Sequence, residues 1–78
     1  MALSVRCFAS WSDAFGPEVV VDLPPDATVA DLLRLLSARP EAAQLPRPVI
    51  AVNRRYARAE TVLRPGDEVA VIPPVAGG

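Results

Sequence analysis

One stretch of this chain carries helical periodicity, and the rest is short, β-branched and punctuated by proline. Val29, Leu32, Leu33 and Leu36 fall at i, i+3, i+4 and i+7, one apolar stripe. Thr28 ahead of it suits an N-cap, and Asp31 occupies the capping-box position at the favourable end of the helix dipole. Pro40 forbids continuation. A single stripe buries against a single surface, so the rest of the chain must supply one small sheet.

The remaining segments read as that sheet. Leu3, Val5 and Cys7 alternate with Ser4, Arg6 and Phe8, the period-two pattern of a strand. Ser10, with Asp13 three residues on, predicts the start of a short helix that Gly16-Pro17 ends. Val19 to Leu23 reads as a second strand stopped by Pro24-Pro25. Residues 40–48 hold three prolines and read as irregular loop. Val49 to Val52 is a short strand, Asn53 a turn that tolerates positive φ, and Tyr56 to Ala59 a brief return strand. Pro65-Gly66 within Leu63 to Asp67 predicts a type II turn, and Glu68 to Ile72 the last strand, closed by Pro73-Pro74. The order predicts an α+β fold of the ubiquitin-like β-grasp type, a small mixed sheet covered on one face by one main helix. The folded domain is expected over 1–73, with a flexible C-terminal tail over 74–78.

Composition narrows the chemistry. The 78 residues include no histidine, which removes the usual general base and the commonest metal ligand. One cysteine excludes an internal disulfide and a multi-cysteine metal site, so no metal is expected. A net charge of −1 argues against a nucleic-acid binder. The start has no basic stretch leading an apolar run, and no apolar run approaches the ~20 residues a membrane helix needs, so a cytoplasmic protein without a membrane partner is expected. All eight basic residues are arginine, so no ε-amine can accept an isopeptide bond.

The C-terminus carries the chemistry that remains. Two glycines in the last two places arise by chance in about one protein in two hundred at average glycine usage. Here Pro73-Pro74 stiffens the root of a small, uncharged tail, Val75-Ala76-Gly77-Gly78. The terminal glycines have no Cβ to obstruct a narrow channel. The one reactive group at the tip is the α-carboxylate of Gly78. Activated by ATP as an acyl-adenylate, it yields a thiocarboxylate with a sulfide equivalent or an amide with an amine. The residues alone leave both open.

Phe8-Ala9-Ser10, Ala51-Val52-Asn53, the Gly66-Asp67-Glu68-Val69 turn-and-strand and above all Pro73-Pro74-Val75-Ala76-Gly77-Gly78 resemble the small-subunit family of molybdopterin synthases, the MoaD-type sulfur carriers. The resemblance spans essentially the whole chain. It departs at Ser12-Asp13, where that family often carries an Arg-Glu pair. It implies a non-catalytic co-substrate with no bound cofactor. A ubiquitin-activating-enzyme-like partner would adenylate Gly78 with ATP, and a desulfurase or rhodanese-type donor would convert it to a thiocarboxylate. The large synthase subunit would then use that sulfur to build the dithiolene of molybdopterin. The family also implies a heterotetramer of two small and two large subunits. A sulfur carrier for thiamin thiazole synthesis, a ubiquitin-like modifier and a plain adaptor are the alternatives.

Strand parity predicts a docking face. If Val69 and Val71 face the helix, Ile72 lies on the open side; by the same count Leu3, Val5 and Cys7 point inward and Phe8 outward. Tyr56 can join them, so Phe8, Tyr56 and Ile72 are the expected partner interface, against the alternative of a minor core on the second face. Cys7 reads as a buried small hydrophobe rather than a persulfide carrier. Trp11 reads as a lid over the core's edge. Arg54-Arg55 reads as a solvated turn, with contact to an acidic partner or a phosphate as the sharper possibility.

Overall fold

In a computed structural model the structure is described over residues 1–73; the tail residues Pro74, Val75, Ala76, Gly77 and Gly78 lie outside the described residues. Strand β1 (Ala2–Cys7) leads into helix α1 (Ala9–Phe15) and strand β2 (Glu18–Asp22). Helix α2 (Val29–Ser37), a 3-10 turn (Pro40–Ala42), β3 (Val49–Val52), β4 (Arg55–Tyr56) and β5 (Val69–Ile72) follow. The sheet order is β2-β1-β5-β3-β4, with β1 and β5 parallel and every other pair antiparallel. The fold is a ubiquitin-like β-grasp.

The inward face of the sheet supplies Leu3, Val5, Cys7, Val21, Ile50, Val69 and Val71 to the core, and α2 supplies Val29, Leu32 and Leu36. Leu33 is half-buried beside them. Truncating Leu32 or Leu36, each 0% exposed, to alanine removes close-packed contacts worth about 2–5 kcal/mol. The start of α2 has every donor of its first turn satisfied. Val29 and Ala30 donate to the carbonyls of Thr61 and Ala59 at 2.9 Å each, and Asp31 N–H donates to Thr28 Oγ1 at 3.3 Å. Thr28 N–H donates back to Asp31 Oδ2 at 2.9 Å, completing the capping box.

Some local expectations are corrected. Helix α1 is capped at Phe8, without a side-chain bond, and not at Ser10. Phe8 N–H is still part of the sheet, donating to Val71 O at 3.2 Å, and its carbonyl accepts from Trp11 and Ser12. The turn into α1 is therefore set by β1, at the cost of a positive φ of 50° at Ala9. The return strand is only Arg55–Tyr56, because the chain leaves the sheet to cap α2. The last strand starts at Val69 rather than Glu68. The loop over 40–48 contains the 3-10 turn. Trp11 covers the core's edge as a buried member of the core itself: it is 1% exposed, stacked on Phe15 at 5.5 Å, and donates from Nε1 to Pro46 O at 3.0 Å. The type II turn forms as expected, with Gly66 at φ +85° and Asp67 N–H donating to Arg64 O at 3.1 Å.

Candidate docking face

The outward face of the sheet is built by register. Glu18, Arg6, Ala70, Ala51 and Tyr56 are successive partners across β2, β1, β5, β3 and β4, one row through all five strands. Ile72 is the partner of Val49, and Phe8 extends β1 alongside Ile72. Alanine at both central positions of the first row leaves a depression of about 530 Å³, floored by Ala51 and Ala70. Phe8, Tyr56 and Ile72 line it together with Arg6, Arg54 and Glu68.

Phe8 and Ile72, turned outward by parity, and Tyr56, expected to join them, therefore line one concavity. Phe8 is 46% and Tyr56 79% exposed, while Ile72 is half-buried. Large apolar side chains left in water around small ones form a socket that a partner's side chain can fill. Ile72 is followed directly by Pro73, so the depression and the point where the tail departs share one strand.

The polar rim is held by Asn53. Asn53 and Arg54 have φ of 53° and 69°, both left-handed, as a two-residue type I′ hairpin turn between β3 and β4 requires. The Asn53 amide donates from Nδ2 to Asp67 Oδ1 at 3.0 Å, and its Oδ1 accepts from Glu68 N–H at 3.0 Å. Arg54 Nε stands 3.8 Å from Glu68 Oε2, with both side chains open to solvent. The strand count that turns Ile72 outward turns Glu68 and Ala70 outward with it, and they line this face, whereas Arg6 and Ala51 were not anticipated there. Their signal was available as outward parity in two strands, but two alanines opposite each other become a floor only once register is known.

Cys7 lies on the other side of the sheet, 4% exposed, with its thiol 3.9 Å from Val5 O. Burial pushes its pKa up, disfavouring the thiolate that sulfur chemistry needs. A second concavity of about 430 Å³ lies by α2, edged by Trp11, Leu33, Leu45 and Arg47. Among the described residues no helix is long and apolar enough to cross a membrane.

The description of the ThiS family matches residues 5–78. The chain belongs to the ThiS family. It is 35% identical to a molybdopterin synthase sulfur carrier subunit of Chlamydomonas reinhardtii over the full length of both chains. Among solved structures, it superposes on a putative molybdopterin converting factor subunit 1 from Pyrococcus furiosus with a TM-score of 0.83 at 31% identity, covering 96% of this chain and 99% of that one. It is also similar to small archaeal modifier protein 1 of H. volcanii, with a TM-score of 0.81 at 28% identity over 95% and 98% of the two chains. As a ThiS-family member, this chain pairs a β-grasp domain with a Gly77-Gly78 ending.

Proposed function

We propose that this chain is the sulfur-carrying small subunit of a molybdopterin synthase. The full-length similarity to a molybdopterin synthase sulfur carrier subunit carries the reading. In it, the Gly78 carboxylate attacks ATP at an adenylating partner, releasing pyrophosphate and leaving an acyl-adenylate. A sulfide equivalent displaces AMP to give the thiocarboxylate, which the large subunit draws in as the sulfur source for the dithiolene. Pro73 and Pro74 stiffen the approach, while Val75, Ala76 and Gly77 are small enough to thread a narrow channel. Phe8, Tyr56 and Ile72 seat the large subunit next to the departing tail. The acid–base groups of the reaction belong to that subunit, in keeping with a chain that has no histidine or lysine.

The likeness to an archaeal modifier protein favours a second reading, in which the activated Gly78 forms an amide with a target amine. One experiment separates the two. The full chain is incubated with an adenylating partner, ATP and a sulfur donor, and its intact mass and C-terminal peptide are measured. A gain equal to one oxygen replaced by sulfur, confined to Gly78, supports the carrier. Covalent adducts to protein amines without that gain support the modifier.

A further inference from the structure

Arg54 occupies a position that the fold alone would assign to glycine. It is the second residue of the type I′ turn, at φ +69°, where a Cβ is disfavoured and Asn-Gly is the ordinary pair. Its side chain returns little to the domain: it is 87% exposed, and its nearest carboxylate among the described residues, Glu68, stands beyond hydrogen-bond length at 3.8 Å. The turn beneath it is nevertheless fixed, because Asn53 clamps it to Asp67 and Glu68. A strained, rigid backbone thus holds a long cation at the rim of the depression, beside the exposed Tyr56.

We propose that Arg54 is a recognition residue of this face, whose guanidinium takes an Asp or Glu carboxylate of the large subunit while a neighbouring apolar side chain of that subunit fills the socket over Ala51 and Ala70. The inference rests on the carrier reading above. Two further features point to a carboxylate and one to an interface. The planar guanidinium matches carboxylate geometry with two parallel hydrogen bonds. The charges lining the depression are Arg6 and Arg54 against Glu68 alone, so the rim favours an acidic visitor. Arginine and tyrosine side by side are also the residue types in which interface energy concentrates. Glu68 acts as a resting partner that the incoming carboxylate displaces.

The test uses the full chain and the large synthase subunit of the same organism, measuring Tm of the free chain and Kd of the complex at low and high salt. Arg54→Gly relieves the left-handed strain and is expected to raise Tm by a few degrees, to weaken association about tenfold and to flatten its salt dependence. Arg54→Asn, which tolerates the same backbone, is expected to weaken association similarly. Glu68→Gln, which removes the competing carboxylate, is expected to tighten it. Unchanged affinity in Arg54→Gly and Arg54→Asn would overturn the proposal, as would an equal loss in Arg64→Gln, which removes one charge from a different turn. If the unaltered chain fails to bind the large subunit at any salt, the carrier reading itself fails and the inference with it, a pattern distinct from normal binding that ignores Arg54.

Discussion

Asn53 and Glu68 exchange two hydrogen bonds: Asn53 N–H donates to the Glu68 carbonyl at 2.7 Å, and Glu68 N–H donates to Asn53 Oδ1 at 3.0 Å. This pairing ties the β3–β4 turn to the entry of β5 and thereby sets the rim of the outward depression. Asn53→Ala removes the side-chain half of it and puts a Cβ-only residue at φ 53°. We expect a loss of about 1–2 kcal/mol in urea unfolding. Asn53→Gly, which keeps the backbone geometry and loses only the amide, should cost less. Equal costs would show that the left-handed backbone contributes nothing.

The capping box of α2 makes stability depend on acid. The Asp31 carboxyl is held below its ordinary value of 3.8, first by the Thr28 N–H, then by the Thr28 hydroxyl, against a smaller opposing effect of burial and with help from Arg34 at 3.2 Å. A carboxyl whose folded pKa is depressed stabilises the fold above its unfolded pKa, and that stabilisation is lost as pH falls through the folded value. Unfolding followed from pH 6 downward should therefore show a loss beginning near pH 4 that Asp31→Asn lessens. Thr28→Ala should cost about 1 kcal/mol at neutral pH.

Cys7 should be chemically silent in the folded chain. Its thiol is buried and its pKa raised, so labelling by an aromatic disulfide reagent is expected only at the rate at which the protein opens. Denaturant should bring labelling to the speed of a free thiol. Cys7→Ala is expected to accept sulfur at Gly78 like the unaltered chain, and a loss of transfer in a folded variant would assign the thiol a role that its burial argues against.

Phe8 contributes to the socket more than to the core. At 46% exposure its truncation should leave Tm within a few degrees, while the affinity for the large subunit falls by about 1–2 kcal/mol. Calorimetric titration of Phe8→Ala against that subunit checks both halves. An unchanged Kd would remove Phe8 from the interface.

Local signals were legible wherever the residues that make an element also terminate it. Thr28 and Asp31 cap α2 between themselves, and Pro65-Gly66 forms its own turn, so both follow from neighbours in sequence. The alternation of Leu3, Val5 and Cys7 gave the buried side of β1, and with it the outward side of Phe8. What escaped depends on partners far along the chain. The strand expected over Tyr56 to Ala59 ends at Tyr56, because Ala59 and Thr61 accept the first donors of α2. The start of α1 is taken from Ser10 by Phe8, which is still bonded to Val71, and by Trp11, which reaches Pro46. Outward parity was available for Ala70, but its meeting with Ala51 as a floor has no local signature, since that is a product of register between β3 and β5.

The central position of β5 has a kinetic meaning. It lies between β1, near one end of the chain, and β3, and it joins two halves that otherwise have no sheet contact, β2-β1 and β3-β4. Closing it requires the longest loop in the fold, so it belongs to the slow, non-local part of folding. Before it closes, Phe8 has no Ile72 beside it and Ala51 no Ala70. The socket therefore exists only where both halves of the sheet have joined, and on the proposed reading the partner would find it only on a fully assembled domain.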